Sequence, residues 1–136
     1  MTYTYTRKAH YHETDQMGII HHSNYIKWFE EARIAYLNDI GLPYSKMEED
    51  GVLIPVLNVS CDYLSMVRFD DDVVIYVSIE AYTGARLAMK YTVKDKTGKI
   101  IYAKGVSKHC FLNKEKKPIR LFKVKPKMAE VFEKLI

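Results

Sequence analysis

Residues 24–40, "NYIKWFEEARIAYLNDI", constrain the fold of this chain more than any other stretch. Tyr25, Trp28, Phe29, Ala32, Ala35 and Tyr36 recur at i, i+3, i+4 and i+7, the spacing of one face of an α-helix. Ile26, Ile34, Leu37 and Ile40 carry apolar surface well past that face, and Lys27, Glu30, Glu31 and Asn38 leave only a narrow polar strip. A helix this apolar has to be enclosed by other structure. Ser23 is placed to cap its start, and Gly41 followed by Pro43 is a stop signal.

What encloses it reads as β-structure. Tyr and Thr alternate from about Thr2 to Tyr11. After the polar piece "SKMEEDG", Val52 to Leu64 reads as one strand. Val73, Ile75, Val77, Ile79 and Ala81 alternate along a second, Leu87, Met89, Tyr91 and Val93 along a third, and Ile100 to Leu112 forms a fourth. "TGAR" and "KDKTGK" are turn signals, so the strands are expected to form an antiparallel meander. "KMAEVFEKLI" closes the chain as a short amphipathic helix. One helix cannot cover both faces of such a sheet, but a long, curved sheet wrapped around it buries the helix nearly all round. The expected class is α+β with the hotdog architecture. The chain, 136 residues without repeat or linker, has the size of one domain, 1–136.

Composition narrows the function classes. The net charge of +4 is modest, and the cations are scattered until "NKEKKPIRLFKVKPK". That cluster suits either a solvated edge or the phosphates of a small ligand, and no nucleic-acid partner is expected. Cys61 and Cys110 form no CxxC pair and read as small buried hydrophobes in a reducing compartment. The start, "MTYTYTRKAH", lacks the apolar region of a secretory signal, and no apolar run nears the ~20 residues of a membrane span. A cytoplasmic location is expected. A chain this short gains from burying further surface in an oligomer.

Titratable chemistry crowds the connection ahead of the helix. Asp15 lies in "TDQMG", where Gly18 can supply a positive φ or a close backbone approach. "IIHHSN" then leads into the helix start, whose free N–H groups and positive dipole end can polarise a carbonyl and hold an oxyanion. A carboxylate beside them can act as nucleophile or as general base on water. Both halves of an acyl-transfer site thus fall in one loop. Glu13 is a rival carboxylate, two residues away and on the same side as Asp15 if the stretch is extended. Glu30 and Arg33, at i,i+3, suit a structural pair.

The stretch "YHETDQMGIIHHSNYIKWFEEAR", Tyr11 to Arg33, resembles the 4-hydroxybenzoyl-CoA thioesterase family, in particular its YbgC-like acyl-CoA branch. That pattern runs Y-x-D/E-T-D-x-x-G-h-h-x-H-x-x-Y-h-x-h-h-E-x-A-R, with h apolar. The resemblance implies hydrolysis of an acyl-CoA thioester to a carboxylic acid and free CoA, with Asp15 as the catalytic carboxylate. His22 would orient or assist substrate or water, its backbone N–H would hold the thioester carbonyl, and Tyr11 would reach the site from the first strand. Gly18, Ile19 and His22 would line the groove with Tyr25, a residue that helical spacing equally turns toward the core. Arg68, Lys108, Arg120 and Lys123 are candidates for the CoA phosphates. Family members pair sheets edge to edge, so a homodimer or homotetramer is implied, with no metal and no cofactor, CoA being part of the substrate.

Three other readings fit fewer residues. An acyl carrier protein thioester could replace acyl-CoA as the substrate, and a non-catalytic acyl-binding protein could use the same groove. A metal site could draw on His10, His12, Asp15, His21 and His22. The metal reading leaves Gly18 and the helix start unexplained, and His10, His12 and His21 also suit a plain surface.

Overall fold

In the computed structural model, which describes residues 1–136, the apolar segment is helix α1, Ser23–Asp39. Its end follows the stop signal. Gly41 takes φ 84°, its N–H donates to the Asn38 carbonyl at 3.2 Å, and the Leu42 N–H donates to the Leu37 carbonyl at 2.8 Å, which is a Schellman closure. Its start differs from the expectation. Ser23 is the first helical residue and His22 is the N-cap, without a side-chain capping bond. The His21 ring caps instead: Nδ1 accepts the Ser23 N–H at 3.2 Å and lies 2.9 Å from Ser23 Oγ.

The sheet contains β1 (Thr2–Lys8), β2 (Val56–Tyr63), β3 (Asp72–Tyr82), β4 (Arg86–Lys94) and β5 (Ile101–Cys110). All pairs are antiparallel, in the order β1-β3-β4-β5-β2. The meander is therefore confined to β3–β4–β5. β2 pairs with β5 at the far edge; the segment that joins it to β3 turns at Arg68–Asp71 without bringing the two strands side by side. Other boundaries also move. β1 stops at Lys8, and Tyr11–Glu13 form a single 3₁₀ turn. The strand expected from Val52 begins only at Val56, after Pro55, with a register irregularity at its first residues. The "SKMEEDG" piece belongs mostly to a short helix, α2 (Tyr44–Glu49). The basic tail holds one turn, α3 (Leu121–Val124), before the expected amphipathic helix, α4 (Pro126–Glu133). No helix is long and apolar enough to cross a membrane.

The architecture is the hotdog: α1 lies in the concave face of the curved sheet. Val73, Ile75, Val77, Leu87, Met89, Tyr91, Val93 and Ala103 alternate inward and are buried against it. Closest approach is made at Phe29, whose ring stacks on Tyr91 at 4.4 Å and 10°. Phe29 reaches that depth because Gly105 lies beneath it. A Cβ at Gly105 would collide with the Phe29 ring and with the Ser60 carbonyl. The convex face carries no helix and presents Arg86, Lys90, Lys94, Lys104 and Lys108.

One polar chain crosses this core. Arg33 Nη1 donates to the Tyr91 hydroxyl at 3.1 Å, that hydroxyl lies 2.7 Å from Ser107 Oγ, and Ser107 Oγ lies 2.7 Å from His109 Nε2. Arg33 thus serves Tyr91 rather than the expected partner Glu30. His109 is 0% exposed, and its Nδ1 makes no hydrogen bond. Burial, reinforced by the Arg33 charge, lowers its pKa from 6.5 to about 4; the Pro55 carbonyl, which favours the protonated ring, is too weakly placed to offset this. The folded state therefore holds His109 neutral where the unfolded chain protonates it. Stability should fall as pH drops from 6.5 towards 4, by about 3 kcal/mol in all at ~1.4 kcal/mol per unit. Chemical denaturation at pH 7, 6 and 5 should show that slope, and His109→Gln should flatten it.

Candidate functional site

The site is assembled around the chain leaving β1. The 3₁₀ turn at Tyr11–Glu13 swings the Glu13 carboxylate inward, where only 5% of the residue is exposed. Glu13 Oε1 accepts the His10 N–H at 2.8 Å and Arg7 Nη2 at 2.6 Å, and Oε2 accepts Trp28 Nε1 at 2.9 Å. Arg7 also lies over the Trp28 ring, 5.0 Å from its centroid, and pairs with Glu31 at 2.8 Å. Burial alone would raise the Glu13 pKa, but the His10 N–H, the Trp28 indole and Arg7 together hold it below the ordinary range. Glu13 is thus a structural anchor with both of its oxygens engaged. The condition for sharing a side with Asp15, an extended stretch through both residues, is not met: Thr14 is extended, but Glu13 itself belongs to the 3₁₀ turn.

Two residues on, Asp15 is held differently. Its N–H donates to the Ile19 carbonyl at 2.8 Å, and its own carbonyl accepts the Gly18 N–H at 3.0 Å, closing a tight turn. The Met17 N–H donates to Oδ1 at 2.8 Å, and Oδ2 has no donor in the protein. Gly18 takes φ 77°, and a Cβ there would meet nothing within 4 Å. The positive φ, not close approach, is what calls for glycine.

The helix start is fixed by the same anchor. The Glu13 carbonyl accepts the His21 N–H at 2.8 Å and Asn24 Nδ2 at 2.9 Å, and the Asn24 N–H donates to the His21 carbonyl. These bonds, with the His21 ring on the Ser23 N–H, occupy the donors on either side of His22 and leave the His22 N–H without a protein acceptor. The free donor and the free carboxylate oxygen belong to residues lining one cleft of about 360 Å³.

The opposite wall comes from the β2–β3 connection. The Val67 carbonyl accepts the Ile20 N–H at 2.8 Å, and Tyr63 at the end of β2 donates its hydroxyl to the His22 carbonyl at 3.1 Å. Tyr63, Leu64, Ser65, Met66 and Val67 line the cleft with Asp15, Ile19, His22 and Tyr25. Sequence reasoning missed this wall. Its one signal was an apolar run, Tyr63, Leu64, Met66 and Val67, lacking the Gly or Pro expected between paired strands.

Of the residues singled out from sequence, Asp15, Ile19, His22 and Tyr25 meet in the cleft, with Gly18 shaping the adjacent turn. Tyr11 lies outside it, 75% exposed, its ring edge-on to Phe69 at 5.4 Å. Arg68 is exposed and bridges Ile19 at the rim. Lys108 is on the convex face of β5, and Arg120 and Lys123 flank or lie within α3, away from the cleft. The four histidines of this region are exposed and form two separate pairs, His10 with His12 and His21 with His22. No three His, Cys, Asp or Glu side chains converge to hold a metal.

The anchor is testable apart from chemistry. A depressed carboxyl pKa stabilises the fold above the ordinary carboxylate range, and that contribution is lost as pH falls through the folded-state value. Glu13→Gln removes the charge at constant size and leaves Arg7 short of a partner. We expect it to lower the unfolding free energy at pH 7 by roughly 3 kcal/mol in denaturant titrations.

Comparison with known proteins adds a family frame. The thioesterase-like superfamily profile matches residues 9–133. A protein of Bacillus subtilis (strain 168) named "Putative acyl-CoA thioesterase YneP" is 36% identical over 128 residues, covering 93% of this chain and 92% of that one. The solved structure of a DHNA-CoA thioesterase from Staphylococcus aureus superposes with a TM-score of 0.92 at 30% identity, covering 98% of this chain and 89% of that chain. A hypothetical protein from Aquifex aeolicus superposes at 0.87 with 33% identity, covering 96% and 98%.

Proposed function

The chain belongs to the thioesterase-like superfamily, and from that premise we propose that it is an acyl-CoA thioesterase, hydrolysing a thioester to a carboxylic acid and free CoA. One observation carries the mechanism: a carboxylate with a free oxygen and an unpaired helix-start N–H line the same cleft. The thioester carbonyl oxygen accepts the His22 N–H, and the helix dipole favours the negative charge that develops on it. Asp15 Oδ2 then either attacks the carbonyl carbon, expelling CoA thiolate and leaving a mixed anhydride for water to cleave, or takes a proton from the water that attacks. Met17 holds Oδ1, which aims the other oxygen. The His22 ring, exposed beside the cleft, is placed to assist water or the leaving group. Arg68 at the rim is the cation best placed for a CoA phosphate. Neither route calls on a metal or an organic cofactor.

Asp15→Asn should lower kcat at least ~10²-fold towards acyl-CoA while leaving KM within a few-fold, because the amide keeps the shape of the turn. Retention of the parent rate would remove Asp15 from the chemistry, and Glu13 could not replace it, its oxygens being engaged. Label in the Asp15 carboxylate after a single turnover in ¹⁸O-water would establish attack by Asp15, with water then cleaving the anhydride at the Asp15 carbonyl carbon.

We also propose a homodimer formed through β2, or a tetramer built from such dimers. β2 is a sheet edge exposed along nearly its whole length, with Leu57, Val59 and Tyr63 uncovered, whereas the exposed side chains of β1 are Thr and Lys. Pairing there would set the cleft beside the neighbouring subunit. Light scattering at micromolar concentration should give at least twice the 15.9 kDa chain mass; a clean monomer would overturn the assembly. The cations of the convex face favour a second substrate reading, the thioester of an acidic acyl carrier protein. A higher kcat/KM for acyl carrier protein than for the matching acyl-CoA would establish that preference.

A further inference from the structure

The cleft is mostly apolar, walled by Ile19, Ile20, Leu64, Met66 and Val67, with the exposed Ser65 among them. Its polar groups are mostly committed. Asp15 and the His22 N–H face the thioester in the reading above, and the Tyr63 hydroxyl is spent on the His22 carbonyl. Tyr25 is different. It is 3% exposed, and its ring is held between Trp28 and Tyr63, with centroids 5.0 Å away on each side. Its hydroxyl has no hydrogen-bond partner in the protein, yet it is not sealed off as the Tyr82 hydroxyl is. Tyr25 thus brings to the lining of the cleft a nearly buried hydroxyl that no protein group uses. Burial also holds its proton well above the ordinary tyrosine range, so it stays a neutral donor.

We propose that the Tyr25 hydroxyl determines specificity, donating a hydrogen bond to an oxygen carried on the acyl group. The preferred substrates are then thioesters of oxygenated acids, hydroxy- or keto-acyl, over hydrocarbon acids of the same size. This rests on the thioesterase reading. A hydrocarbon tail laid over the hydroxyl leaves it unpaired and desolvated, whereas an oxygen on the tail replaces the water it gives up. Asp15 selects nothing in this respect, since every thioester offers it the same carbonyl.

The test compares the protein with Tyr25→Phe on two matched pairs: butyryl-CoA with 3-hydroxybutyryl-CoA, and phenylacetyl-CoA with 4-hydroxyphenylacetyl-CoA. The parent should favour the oxygenated member by roughly tenfold or more in kcat/KM in at least one pair. Tyr25→Phe should bring that ratio near one, losing on the oxygenated member and gaining on the plain one, with an unchanged melting temperature. No preference in the parent, or a ratio kept within twofold in Tyr25→Phe, overturns the proposal. If the folded parent turns over none of the four, the hydrolase reading falls by itself. The same ratios are then read from calorimetric binding of S-alkyl-CoA thioethers bearing these tails; equal affinities overturn the role of Tyr25, and a tail-oxygen preference lost in Tyr25→Phe upholds it.

Discussion

Five donors converge on Glu13. Its carboxylate takes the His10 N–H, the Arg7 guanidinium and the Trp28 indole, and its carbonyl takes the His21 N–H and the Asn24 amide. These groups come from β1, the turn after it, the approach to α1 and α1 itself. A single residue thus fixes the loop to the strand on one side and to the helix on the other. Its geometry holds because an unpaired buried carboxylate, or an unpaired Arg7, would be far more costly than the paired set. The helix is seated a second time where Phe29 lies over Gly105, so its distance from the sheet and its rotation are both determined before any ligand is considered.

Two carboxylates two positions apart are thereby assigned opposite duties. Glu13 is engaged at both oxygens and buried, which makes it stable and chemically idle. Asp15, beyond the turn that Glu13 anchors, has one oxygen restrained by Met17 and one left bare. The Glu13 carbonyl takes the N–H before His22 and the His21 ring takes the one after it, which leaves the His22 N–H over. The candidate chemistry is thus the remainder after local hydrogen bonding has been satisfied, which is the form pre-organisation takes in a site of this kind.

The cleft lies where the sheet is least complete. β2 is joined to the rest only through β5, and the segment leaving it turns at Arg68–Asp71 on its way to β3. That segment supplies an apolar wall, and Tyr63 ties it to the helix start through the His22 carbonyl. Exposed apolar side chains along β2 continue from this wall to the open edge. A site bounded by an edge strand with one side unpaired is well placed to be completed by a second copy of the chain.

Much of this was legible in the sequence. The 3.6-residue period of α1, the two-residue alternation of β3 and β4, and the Gly41 stop depend on neighbours in the chain, so local pattern specified them. The Tyr11 to Arg33 pattern likewise singled out Asp15 and His22, which the fold brings to one cleft. Several features depended on contacts distant in sequence. The placement of β2 beside β5 rests on pairings such as Cys61 with Gly105, 44 residues apart (105 − 61), which no local period encodes. The separation of Glu13 from Asp15 required knowing that Trp28 and Arg7 would both reach Glu13 and turn the backbone. The cleft wall at 63–67, the exposed position of Tyr11 and the uncommitted Tyr25 hydroxyl followed from the same cause. The sequence by itself determined where the main helix and the strands of the meander lie and which loop gathers the candidate carboxylates, because those are local properties. The tertiary structure alone decided which polar groups are used up in holding the fold and which remain free to meet a substrate, because that depends on every partner within reach.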